Sequence, residues 1–173
     1  MAQPNTAASA VRHISAADRL QVVDLVNRLN LAFDNWDLEA MINAFTEDAT
    51  VDHPRGLIKG RDAIRRFNEA YYPLTVGVRR HCLNHVVDVN DDGTLTVTSY
   101  VMLVRVAPSS QADAVRNSNL TEDSSGLPAI FMHSIVHDRF RYEAEHGWRI
   151  ESRRVEQTVV NASLRDSLTK AKE

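Results

Sequence analysis

The chain has a single cysteine, Cys82, among its 173 residues, so it can form no internal disulfide and no cysteine-built zinc site. Surplus charge is also missing. The formal net charge is −3, and no lysine or arginine cluster overrides it, which removes the electrostatic case for a nucleic-acid or anionic-membrane partner. No apolar run approaches the ~18 residues a membrane span needs. The opening MAQPNTAASA lacks the basic-then-apolar order of a signal peptide, so the sequons at Asn119 and Asn161 read as chance matches. The expected compartment is the reducing cytoplasm. Glycine is sparse, at six residues, and no Gly-x-Ser-x-Gly elbow, phosphate-cradling loop or dinucleotide fingerprint occurs. Hydrolase, kinase and dehydrogenase readings lose their usual support.

What is present is 43% hydrophobic and 25% charged, an ordinary globular composition in a length that suits one domain with a substantial core. Residues 1–12 read as a disordered lead. Ser15-Ala16-Ala17-Asp18 then resembles a capping box, followed by Val22, Leu25, Val26, Leu29 and Phe33 at helical spacing. Asp34, Asn35 and Trp36 break that stripe, and Asp37 can cap a second short helix carrying Leu38, Met41, Ile42 and Phe45. A hairpin about Pro54-Arg55-Gly56 comes next. A third helix follows Gly60, with Ile64, Phe67 and Tyr71 on one face, and Pro73 ends it. The second half switches period: residues 81–89, 94–106, 129–143 and 147–159 alternate in the manner of half-buried strands. Asn90-Asp91-Asp92-Gly93 and Glu145-His146-Gly147 supply hairpin turns. Residues 108–128 form a long polar connection, either a mobile loop or a lid, and 161–173 a charged tail. Helices followed by an antiparallel meander predict an α+β domain over 13–160, a cone-shaped curved sheet with three N-terminal helices on one face.

The chemistry-bearing residue types gather in Arg79-Arg80-His81-Cys82-Leu83-Asn84-His85. On a helix His81 and His85 could share a metal ion. On a strand they lie ~13 Å apart along one face, too far for one ion with ~2 Å bonds. The following valines favour a strand. His133 and His137 fail by the same spacing, so no metal is expected. A histidine can serve as a general base when a carboxylate orients it. Asp34, on the edge of an apolar helix face, is the candidate partner, and a solvated helix-ending turn is its bland alternative. Cys82 points away from His81 on a strand, which argues against a thiol–imidazole pair.

Several stretches together resemble the SnoaL-like branch of the nuclear transport factor 2-like superfamily. They are Ala32-Phe33-Asp34-Asn35-Trp36-Asp37, Phe45-Thr46-Glu47-Asp48-Ala49-Thr50-Val51, Gly60-Arg61-Asp62-Ala63-Ile64, Arg80-His81, Asp92-Gly93, His137-Asp138-Arg139-Phe140 and Gly147-Trp148-Arg149-Ile150. The likeness runs over residues 15–158 and rests on order and spacing, since no single motif is specific. It implies a cystatin-like α+β barrel, a curved and largely antiparallel sheet wrapped by three helices around a deep apolar cavity. Similar members include polyketide cyclases, dehydrochlorinases, dehydratases and ketosteroid isomerases, several of which use an Asp–His dyad with no metal or organic cofactor. By position, Asp34 and His81 match that dyad. Two features depart from the pattern: the family's asparagine four residues after the histidine is here His85, with Asn84 displaced by one, and Leu29 and Asn30 stand where dehydratases carry a tyrosine.

The resulting expectation is a cofactor-independent lyase or isomerase acting on a small hydrophobic molecule, cyclic ones included, with His81 moving the proton and Asp34 orienting it. Its alternative is a non-catalytic binding or dimeric accessory protein of the same fold. Candidate substrate contacts are His85, His53, Asp52, His133 and Tyr100. His133 and Ser134 lie on opposite faces of one strand, so only one can look inward; Ser99 with Val101 and Tyr100 with Met102 pose the same choice. Trp148 reads as core or as a dimer contact. A homodimer is expected, because the convex face of such a sheet is too apolar to leave in water.

Overall fold

The computed structural model describes residues 13–122, 124 and 126–164. The lead expected over 1–12 and the tail from 165 onward lie outside them. Helix α1 spans Ala16–Asn35, and the capping box forms as the sequence suggests: the Asp18 backbone N–H donates to Ser15 Oγ at 3.1 Å, and the Ser15 backbone N–H donates to Asp18 Oδ2 at 2.9 Å. Asp18 does more than cap. Its other carboxylate oxygen accepts from the Trp148 indole N–H at 2.9 Å, in the buried interior. Trp148 is thus a core residue that ties the start of α1 to the last strand. At the far end Trp36 takes a left-handed conformation, φ 57°, which stops the helix and lets Asp37 cap α2, Leu38–Asn43.

Strands β1 (Phe45–His53) and β2 (Gly56–Lys59) form the small hairpin, and α3 covers Arg61–Tyr71. The meander follows as β3 (Val78–Val89), β4 (Leu95–Arg105), β5 (Ala129–Glu143) and β6 (Gly147–Val160). Six strands lie in the order β2-β1-β6-β5-β4-β3. All neighbours are antiparallel except β1 and β6, which run parallel. The sheet is therefore mixed, curved and open rather than a closed barrel, as the helices-then-meander order implies. The long connection after β4 is partly built, with a 3-10 turn at Ser109–Gln111 and a short helix α4, Ala112–Arg116.

Alternation fixes what faces the interior. Along β4, Leu95, Val97, Ser99, Val101, Leu103 and Arg105 are all buried, while their neighbours are not. Helix α1 packs its Val22, Val26 and Leu29 stripe against this face, with Phe45, Phe140 and Ile150 closing one core. Burying each such side chain contributes about 1.5–3 kcal/mol. Helix α1 rests on β3 and β4, and α3 on β1 and β2. Between these two helices the inward face of the sheet is left to a cavity.

Candidate functional site

The cavity is about 120 Å³ and is walled by α1, α3 and the inward faces of all six strands, β2 and β3 contributing Ile58 and Arg80. Most of its wall is aliphatic or aromatic, with Val26, Phe33, Phe67, Val101 and Val136 typical. Two arginines also line it, Arg80 and Arg153, and each is answered by a carboxylate. Asp34, at the last turn of α1, accepts from the Arg80 backbone N–H at 3.0 and 3.2 Å and from its guanidinium at 3.0 Å. The two side chains are 7% and 9% exposed. Burial pulls the Arg80 guanidinium's proton affinity down, and Asp34 opposes it. Arg153 grips Asp138 through two bonds of 2.6 and 2.8 Å, with Asp138 fully buried. Here burial works against the charge of Arg153, and Asp138 more than offsets it, so its proton affinity is raised.

His53 closes β1 at the cavity wall, its ring against Phe67 at 4.9 Å and Tyr71 at 5.6 Å. Its Nδ1 accepts from the Arg55 backbone N–H at 3.1 Å. With Nδ1 so occupied, the neutral ring carries its proton on Nε2 and acts as a donor. Burial, then the charge of Arg55, holds its pKa below the usual histidine value.

The residues expected at the site separate into two groups. Asp34 reaches the start of β3, but the group it meets is Arg80; His81 is exposed and makes no hydrogen bond to it. Arg80 alternates with the inward Val78 and Cys82, so His81 takes the outer face. His133 and Tyr100 also lie outside, in contact with each other at 5.6 Å, while Ser134 and Ser99 take the inward positions. Asp52 is exposed on the outer face of β1. His85 is half-buried and outside the cavity lining, with a buried Nε2 that has no partner among the described residues. Of the expected contacts only His53 lines the cavity, and no described residue of 108–128 does. Burial pushes the Cys82 thiol up to about 11, so it packs as an un-ionised group. Among the described residues no three His, Cys, Asp or Glu side chains cluster to hold a metal ion.

The sequence matches the model of the SnoaL-like domain over residues 15–154. The chain belongs to the SnoaL-like family. No curated protein matches it. Among solved structures, a cystatin-like-fold protein of unknown function from Nostoc punctiforme is 22% identical, with a TM-score of 0.67 over 88% of this chain and 98% of that one. Aln2 from a Streptomyces species is 18% identical, with a TM-score of 0.65 over 94% and 100%. ActVI-ORFA from Streptomyces coelicolor is 20% identical, with a TM-score of 0.63 over 79% and 94%. At these identities the likeness concerns the fold.

Within the SnoaL-like cavity, Arg80, Asp138 and Asn68 were not anticipated; Ser99 was one arm of the choice left open on β4, and Arg153, a candidate for holding a polar substrate group, was expected at a solvated sheet edge. A signal existed for two of them: Arg80 falls between Val78 and Cys82, and Asp138 between Val136 and Phe140, apolar residues that mark the inward parity. Arg153 is hidden by the register shift on β6, and Asn68 by its place on a polar helix.

Two outcomes follow from this geometry. Asp34→Asn leaves a buried guanidinium without its counter-charge and should cost about 3–5 kcal/mol in urea unfolding. Adding Arg80→Met should restore at least ~1 kcal/mol of that; strict additivity in the double variant would show that the pair is not the stabilising contact. The second outcome concerns pH. Burial depresses both His53 and His85 below their reference of 6.5, although Asp138 pulls His85 the other way. The unfolded chain therefore protonates first as pH falls. Their contribution is complete above pH 6.5 and is lost as pH falls through the folded-state values. Urea midpoints should drop between about pH 6.5 and 5, before most carboxylates titrate. The slope should flatten in the His53→Gln/His85→Gln double variant, and an unchanged slope would assign the pH dependence to other groups.

Proposed function

We propose that this SnoaL-like protein binds a small, largely apolar molecule in the cone cavity and holds one of its oxygen atoms by donated hydrogen bonds. The observation that carries this reading is the fixed His53 ring: its Nδ1 is taken by the Arg55 amide, so Nε2 presents a proton rather than a lone pair. Both nearby carboxylates are engaged by arginines. A guanidinium cannot act as a base, so the polar groups here suit the stabilisation of an acceptor better than the removal of a proton. The compartment in this reading is the reducing cytoplasm, in line with the single free thiol.

A second reading, a cofactor-independent lyase or isomerase, is favoured by one feature. Asp34 meets β3 where the family resemblance sets its dyad, and Arg80 lies four residues before Asn84, the spacing expected of the family histidine. In that reading Arg80 and the neutral His53 polarise a carbonyl, as donors do in water-poor sites. Asp34 takes the acidified C–H proton after releasing Arg80. Cyclohexanone in deuterated buffer separates the two readings. Simple binding predicts line broadening of the ketone, weakened at least about threefold in His53→Ala, with hydrogen exchange no faster than buffer and no effect of His81→Ala. Exchange accelerated by the protein and lost in Asp34→Asn would establish the catalytic reading instead.

We further propose a homodimer formed through the outer face. Three successive rows of that face carry apolar groups: the exposed Leu83 (45%) beside Tyr100 (41%), the half-buried Met102 and exposed Val159 (69%) on either side of His133, and the half-buried Val104 beside the exposed Ile130 (54%). A largely apolar patch such as this suits a partner surface of the same kind. Light scattering should return twice the 19.4 kDa chain mass for the native protein, and the monomer mass for Tyr100→Lys/Val159→Lys. A native monomer would refute the proposal.

A further inference from the structure

Besides the Tyr71 phenol, four neutral amide or hydroxyl side chains line the cavity, and they are treated differently by their surroundings. Asn30 donates to the Val26 carbonyl at 2.8 Å, and Ser134 bonds Thr158 at 3.0 Å. Asn68 Nδ2 on α3 and Ser99 Oγ on β4 are buried with no partner among the described residues. Asn68 is 7% exposed and Ser99 1%. An unmet buried donor forfeits its bonds to water with nothing in return, whereas an apolar replacement at either place would carry no such cost. Two such groups facing one apolar cavity call for an acceptor brought in from outside.

The charges say what kind of acceptor. Arg80 is neutralised by Asp34 and Arg153 by Asp138, each pair closed within the wall, and His53 is held toward its neutral form. The formal charge around the cavity sums to zero. A carboxylate entering here would arrive as an unpaired ion in an apolar space, stripped of its hydration with no counter-charge to replace it. A neutral carbonyl carries two lone pairs and brings no such charge. Size narrows the choice further. The cavity of about 120 Å³ is close to an engineered cavity of roughly 150 Å³ that takes benzene, so one ring fills it.

We infer that the cavity is selective for a neutral carbonyl compound of about one ring, with Asn68 and Ser99 as the residues that determine this specificity. The inference rests on the cavity being a ligand site, as proposed above. Three probes built on one six-membered ring test it by isothermal titration at pH 8: cyclohexanone, its isostere methylenecyclohexane, and the anion cyclohexanecarboxylate. Cyclohexanone should bind about tenfold or more tightly than methylenecyclohexane, the effect of one or two hydrogen bonds from donors that are otherwise unmet. Cyclohexanecarboxylate should bind at least about tenfold more weakly than the ketone. Ser99→Ala and Asn68→Leu should each cut the ketone's advantage about three- to tenfold while leaving methylenecyclohexane unweakened. An alkene that matches the ketone in the native protein would overturn the inference, and that ranking does not depend on how well either variant folds. A carboxylate that binds most tightly would overturn it too, as would a preference that survives both substitutions. Failure of all three probes to bind would instead sink the cavity as a ligand site, and the inference with it.

Discussion

The contact on which the rest depends is the one between Asp34 and Arg80. Strand β3 lies at the edge of the sheet, paired on one side only, so part of its backbone must find hydrogen bonds elsewhere. Both Asp34 oxygens accept the Arg80 N–H, and one of them also accepts the guanidinium. One carboxylate thereby satisfies an edge amide, neutralises a buried cation and fixes the end of α1 over the start of β3. The guanidinium, spread over the Phe33 ring at 4.6 Å, forms part of the cavity wall. Moving this contact by one residue would change which side chain enters the cavity.

What enters decides the chemistry open to the scaffold. An imidazole at that point could accept and return a proton near neutral pH. A guanidinium holds its charge across the working range and serves only as a donor. The same carboxylate therefore changes role with its partner: beside a histidine it would orient a base, whereas beside Arg80 it cancels a charge. The second pair, Arg153 with Asp138, repeats the arrangement on the opposite strands. Together they leave an interior rich in donors but without net charge, and this links the ion pairs to the unmet amide and hydroxyl of Asn68 and Ser99.

Much of the architecture was legible because it rests on local rules. The capping box at Ser15, the break at Trp36, the caps and turns at Asp37 and Gly93, and the change of period after Pro73 all appear where residue chemistry puts them. The family resemblance carried the curved sheet wrapped by helices around a cavity; the strand order, with β1 parallel to β6, was given neither by it nor by any local rule. The site was less legible. It depends on the inward or outward parity of each strand, and parity is lost wherever a bulge occurs. Asp34 lies at the head of β3, where the family resemblance rather than the helix stripe had set it. Its partner was misread by one residue, since two adjacent candidates, Arg80 and His81, differ only in the face they take. Asn68 was overlooked because its helix carries charged residues on several sides, and burial there is set by β1 and β2 rather than by its own neighbours.

The two histidines four residues apart show how much one backbone feature controls. On a regular strand His81 and His85 would share a face. Asn84 instead adopts φ 55°, and the pairing with β4 shifts between Leu83 and Val86, the signature of a bulge that inserts one unpaired residue. Val78, Arg80 and Cys82 face inward before it, and His85 and Val87 after it, while Val86 is 55% exposed. His81 is thereby sent to the outer face and His85 to the interior. Asparagine suits this point because its short polar side chain tolerates the left-handed region better than most. Without the bulge, the strand could keep Arg80 against Asp34 only by turning Val86 inward and Val87, now packed on the core, out into water. The bulge at Asn84 is thus what allows one strand to place a charge at the cavity wall and still bury its apolar end.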